Sequence, residues 1–247
     1  MGELTIKGRI MPASNATFLG EIDGREVVYK PVAGERPLWD FPDGTLADRE
    51  VAAHLVSEAM GWRIVPRTWW GEGPHGPGMV QEWQEVADDA AAVDLVRSGR
   101  TPAGWLEVVD GLDDRDHPVT LVHEDTEALR RLAVFDIVVN NADRKGGHVL
   151  AMPGGHRHGV DHGIAFHHEP KLRTVLWGWA GLPLTDEEIG VTTALLASVR
   201  GDLGDELGFH LTQQEIAALE RRTERLLAAG ELPGPRGSWP PIPWPPF

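Results

Sequence analysis

Two aspartates on two polar turns constrain this chain more than any other feature. Asp143 lies in Asn140-Asn141-Ala142-Asp143-Arg144-Lys145-Gly146-Gly147-His148, and Asp161 lies in Val160-Asp161-His162-Gly163. The interval between them is short, so a compact fold can bring one forward as a base and the other as a metal ligand. Phosphate chemistry at such a pair would also call for a lysine to hold phosphate and a carboxylate to hold that lysine. Lys30, at the end of a predicted strand, and Glu50, on the helix predicted after it, are the candidates for those two roles.

The remainder of the sequence fixes the kind of body that carries them. At 247 residues with 41% hydrophobic content, the chain can bury a core as one domain or as two lobes sharing a cleft. There is no cysteine, which excludes a disulfide framework and a thiolate metal site, and fits a reducing compartment. No apolar run is long enough to span a bilayer, and the first residues lack a signal-peptide pattern, so a cytoplasmic location without integral membrane contact is expected. The net charge of −15 argues against nucleic acid and against anionic membrane surfaces as partners.

Residues 4–30 alternate like a strand pair or three-stranded meander, with Asp23-Gly24 as a hairpin turn. A helix is predicted from Leu46 to Met60, capped by Thr45, with Ala52, Leu55, Val56 and Ala59 inward. Further short strands end in Met79–Trp83. Residues 84–124 are acidic and Ala-rich and carry no clear pattern. Asp125 is expected to cap a helix through Val139, and two late helices start with capping boxes, Thr185 with Glu188 and Thr212 with Glu215. The division predicted is a strand-rich N-lobe over 1–83, a mainly helical C-lobe over 84–237, and an extended Trp/Pro-rich tail over 238–247. The fold class is α+β, in two lobes.

Several segments resemble a known family. Val28-Tyr29-Lys30-Pro31 is similar to the Lys-Pro strand end of phosphatidylinositol 3-/4-kinases, especially the type II 4-kinases, and of the HipA-like toxin kinases. Arg49-Glu50-Val51-Ala52-Ala53, Val65-Pro66, Asn141-Ala142-Asp143-Arg144, Val160–Phe166 and Trp177-Gly178-Trp179 follow in the family's order. The resemblance implies a protein-kinase-like fold using ATP and Mg²⁺ or Mn²⁺ to phosphorylate a hydroxyl. It implies Lys30 on the phosphates, Glu50 holding Lys30, Asp143 with Arg144 as the catalytic pair, and Asp161 on the metal. The turn at Ser14 and Asn15 would approach phosphate through its backbone. Val80, Gln81 and Trp83 would form the hinge that reads adenine. Where the family has Asn five residues after the catalytic Asp, this chain has His148; imidazole suits Mn²⁺ better than Mg²⁺.

Other readings compete. Six of the 11 histidines fall between 148 and 168, and His156, His158, Asp161 and His162 come near a metallohydrolase pattern, one residue too long before the aspartate. His148 also admits a nucleotide-binding module that transfers nothing. Asp136, alone among apolar neighbours in its helix, reads as a structural acceptor for the loop backbone or Arg144. The Trp/Pro tail either docks along the body or recruits a protein partner as a proline-rich ligand. The acceptor hydroxyl, on protein, small molecule or lipid, is not specified.

Overall fold

A computed structural model describes residues 2–11, 15–42, 45–87, 91–235 and 240–247. It is an α+β chain of two lobes. The first holds an antiparallel sheet of β1 (Thr5–Arg9), β2 (Phe18–Ile22), β3 (Arg25–Pro31), β4 (Thr68–Gly73) and β5 (Gly76–Glu82), in spatial order β1-β2-β3-β5-β4. Between β3 and β4 runs helix α1 (Leu46–Ala59). Val27, Tyr29 and Val80 alternate onto one face of the sheet and bury with Leu4 and Ile22. Lys30, paired with Met79 on β5, falls on the opposite face, next to α1. Gly78 lets β5 approach there: a Cβ on it would meet the Lys30 carbonyl oxygen at 2.3 Å.

The N-terminus of α1 departs from expectation. Thr45 makes no capping bond; its hydroxyl goes to the Pro42 carbonyl, and the Glu35 carboxylate accepts from the N–H groups of Leu46 and Ala47 instead. A long-range carboxylate does the work that a local residue was expected to do. Ala59 is exposed, and the inward face is Ala52, Ala53, Val56 and Met60.

The second lobe is not simply helical. Residues 84–124 contain β6 (Val93–Arg97), β7 (Trp105–Leu112) and β8 (Pro118–Glu124), an antiparallel sheet ordered β6-β8-β7. Its outer strands are largely exposed, so their apolar alternation is faint in the sequence. Helix α2 (Glu127–Val139) follows, capped by the Thr126 side chain one residue later than expected; Asp125 instead accepts from the Trp179 indole. The hairpin β9 (Val149–Ala151) and β10 (Arg157–Gly159) comes next, then α3 (Asp186–Val199), α4 (Asp202–Leu207) and α5 (Gln213–Ala229). Both expected capping boxes are present, and α5 stops at Gly230 in the left-handed region. The short α4 had no sequence signal strong enough to announce it. Among the described residues no helix is long and apolar enough to cross a membrane.

One large core joins α1, α2, α3, α5 and the 165–184 segment. It puts α1 in contact with both lobes and leaves a cleft where β3, α1 and the two aspartate turns meet.

Candidate functional site: a charged cleft between the lobes

Lys30 and Glu50 meet across the cleft, with Lys30 Nζ 2.6 Å from Glu50 Oε1. The same ammonium lies 2.8 Å from Asp161 Oδ1. Burial alone would lower the Lys30 pKa; the Asp161 and Glu50 carboxylates overcome this and raise it. Lys30 in turn holds the Asp161 carboxyl well below the usual carboxylate range, against the opposing effect of burial. Glu50 spends its second oxygen on the backbone N–H of His162 at 2.8 Å. One buried carboxylate thus ties strand β3 to the turn after β10. Asp161 holds a φ of 62°, a left-handed conformation rare outside glycine.

Asp143 projects from the loop after α2. Burial raises its carboxyl pKa, Lys145 opposes this, and the Asp161 charge adds to the rise. Lys145 Nζ stands 3.4 Å from Asp143 Oδ2. His148 joins the two aspartates. Its Nδ1 is 3.0 Å from the Asp143 carbonyl, which can only accept, so Nδ1 carries the proton. Burial lowers the His148 pKa to about 4, so the ring is neutral near pH 7 and Nε2 presents a lone pair. That lone pair faces Asp161 Oδ2 at 3.4 Å, with no proton between them. Two acceptors facing each other in this way suit a cation, and a neutral imidazole with a carboxylate is a donor set for a divalent metal. Among the described residues no third His, Asp, Glu or Cys completes a metal cluster.

The structure assigns Arg144 a different place from the catalytic one expected. Its guanidinium is fully buried and forks onto Asp136 at 2.8 and 2.9 Å. It also donates to the carbonyls of His148 and Val160 and to His162 Nε2. Asn141 completes the knot by donating to Asp136 and accepting from the Asp143 N–H. Arg144 therefore fixes both turns from behind and does not reach the cleft. Asp136 is the structural acceptor its isolation among apolar neighbours suggested.

The adenine-hinge expectation also needs correction. Val80 and Gln81 lie on β5, an interior strand paired with β3 and β4 on either side, and the Gln81 amide bonds the Thr68 hydroxyl. Their backbone is committed to the sheet. Trp83 gives its N–H to Glu26. The first backbone N–H groups beyond the sheet without a backbone partner among the described residues belong to Gln84, Glu85 and Val86. A sequence signal existed: the apolar run ends at Val80, so a crossover must start after it.

Asn15 uses its side-chain oxygen to accept from the Arg36 N–H, so it shapes its loop from within. Ser14 lies outside the described residues. His156 and His158 sit on the β9–β10 hairpin against the carbonyls of Arg63 and Ile64, and His162 is turned to Arg144. The metallohydrolase set is thereby dispersed. Residues 240–247 dock along the body, where Gly146 donates to Pro246 and Thr174 to Pro241.

Together these elements define a two-lobed α+β protein with a charged cleft. The chain belongs to the family of Protein Rv2133c of Mycobacterium tuberculosis, to which it is 49% identical over 259 residues, covering 100% of this chain and 93% of that protein. No family model matches it. A solved structure, the Helicobacter pylori proinflammatory kinase CtkA, is similar over 91% of each chain at a TM-score of 0.47 and 11% identity. The cleft is defined by the chain's own side chains rather than by that likeness.

Proposed function

We propose that the cleft binds ATP with a divalent cation and transfers the γ-phosphoryl group to an acceptor hydroxyl, as in the phosphatidylinositol 3-/4-kinase-like group. One observation carries this reading. A single lysine bridges a helix carboxylate and a second carboxylate on a turn, with a third, proton-attracting carboxylate beside them. Phosphoryl transfer asks for that equipment: a cation for the phosphates, a carboxylate to hold the cation, a metal ligand, and a base for the acceptor.

On this reading Lys30 leaves Asp161 for the phosphates when nucleotide enters, and Glu50 retains its hold. Asp161 and His148 would hold the metal, with remaining ligands from phosphate and water. When bound, the metal would neutralise charge on the phosphate oxygens. Asp143 accepts the hydroxyl proton; its raised pKa brings it closer to the working pH, which favours a general base. Lys145, next to Asp143, adds positive charge where the transferred group passes. The Gln84–Val86 backbone offers donors to an adenine edge.

The neutral His148 also supports a second reading, nucleotide binding without transfer. Asp143→Ala separates the two. Label transfer from γ-labelled ATP in the presence of Mn²⁺ or Mg²⁺ should fall by about 10²-fold or more while ATP affinity is kept. Undiminished transfer would remove Asp143 from the mechanism, and ATP binding without transfer in the unmutated chain would favour the second reading.

A further inference from the structure

Residues 240–247 read Pro-Pro-Ile-Pro-Trp-Pro-Pro-Phe. Proline has no N–H, so such a segment can offer a binding surface mainly carbonyl acceptors. The body supplies donors to match. The Thr174 N–H and the Trp177 indole both donate to the Pro241 carbonyl, at 3.0 and 2.9 Å. Arg173 donates to Ile242 O at 3.2 Å, and the Gly146 N–H to Pro246 O at 2.8 Å. Indole, guanidinium and backbone donors set against proline carbonyls form a chemistry by which proteins read proline-rich peptides. The fit is close: Ile242 packs on the main core and Pro243 is buried. The Phe247 ring covers Gly146 so tightly that a Cβ there would lie 2.5 Å from it.

This groove adjoins Asp143. Gly146 belongs to the same loop, and Arg173 lies near enough for its charge to oppose the rise in the Asp143 pKa. The loop and the groove wall are one piece of backbone pairing, through Arg144 N–H to Arg173 O and Val175 N–H to Arg144 O. The occupying segment has no Ser, Thr or Tyr between 240 and 247. The segment is bent at Pro241-Ile242 and Trp244-Pro245 rather than extended as expected, and residues 240–247 bring to the Asp143 loop no side chain that can accept a phosphoryl group.

We propose that the groove walled by Gly146, Arg173, Thr174 and Trp177 is a binding site for a proline-rich polypeptide. Segment 240–247 fills it in cis as a hydroxyl-free competitor of a protein acceptor. The acceptor half rests on the phosphotransferase reading; the groove does not.

Two full-length variants test this. Ile242→Asp with Phe247→Ala undocks the segment, and Phe247→Ala alone, at a half-exposed ring, leaves the core untouched. Fluorescein-labelled peptide of residues 240–247 is titrated into each and followed by anisotropy. Because a tethered occupant competes at high effective concentration, the double variant should bind about tenfold or more tighter than the unmutated chain, with Phe247→Ala between them. Equal binding by all three, or binding by none, overturns the groove. In a second arm, labelled ATP and dephosphorylated casein serve as donor and acceptor. Transfer should rise several-fold in Phe247→Ala and return to its former level when the peptide is added. Transfer that stays constant or drops overturns the competition. Transfer absent from every protein, with peptide binding as expected, removes the phosphotransferase reading and leaves the groove standing.

Discussion

The Asp136–Arg144 pair and the Lys30–Glu50–Asp161 cluster both draw charge away from water, and they do so for opposite ends. In the first, both side chains are wholly buried and the guanidinium is spent on a carboxylate, two carbonyls and an imidazole. In the second, Glu50 is buried but Asp161 is about half exposed, and the lysine between them is partly open to solvent. A sealed pair holds geometry; an open one holds a place for something that arrives later. The turn carrying Asp161 belongs to both, since Arg144 grips the Val160 carbonyl and Lys30 grips the Asp161 side chain.

The contrast is sharpest in stability. Arg144→Met leaves Asp136 charged and buried, so unfolding free energy should drop by about 3–5 kcal/mol, read by urea denaturation. A loss under about 1 kcal/mol would mean that the knot is not what holds the turns. Lys30→Met should leave the unfolding curve far less altered and weaken ATP binding by about 10- to 100-fold, measured calorimetrically. Equal ATP affinity in that variant would break the distinction between the two clusters.

Acid should act on both sides, through His148 in the open cleft and through histidines buried behind it. His162 Nε2 accepts from Arg144, and His123 Nε2 accepts from the Gly178 N–H; burial lowers both pKa values from about 6.5. A histidine whose folded pKa is depressed binds fewer protons folded than unfolded, so stability is full above the unfolded value and declines as pH falls below it. Each should contribute about 1.4 kcal/mol of loss per pH unit below roughly 6.5, until its folded pKa is reached. A flat stability profile between pH 6.5 and 5 would contradict this. The smallest effect concerns the helix that carries Glu50: Glu35→Ala should cost about 1 kcal/mol and Thr45→Ala only a few tenths, by thermal unfolding. The reverse order would restore Thr45 as the cap.

Legibility followed the range of each interaction. The capping boxes at Thr185 and Thr212 are local patterns, and the structure has both. Lys30, Glu50 and Asp161 could be named because their order along the chain is itself a pattern, and they meet in the cleft. Arg144 was misplaced because its neighbour Asp143 made it look catalytic; nothing adjacent reveals that a residue faces backwards. Glu35 was missed because its partners lie eleven and twelve residues away. Val80 and Gln81 differ from expectation because β5 continues, paired on both sides, past the point where its apolar residues stop. The β6–β8 sheet was illegible because two of its strands are too exposed to carry strong alternation.

Helix α1 is bolted to the lower body. Buried Arg49 holds Glu215 on α5 at 2.5 Å and the Ala165 carbonyl at 2.8 Å, and Asp48 holds His210. Swinging this helix outward would rupture a buried ion pair, at about 3–5 kcal/mol. The five-stranded sheet has its own small core, and the lysine of its ion pair to α1, Lys30 with Glu50, is partly open to solvent, so displacing the sheet against α1 would cost less than displacing the helix against the body. A nucleotide would meet a Lys30 already anchored by Glu50, and a regulator acting on this protein would have to grip the sheet.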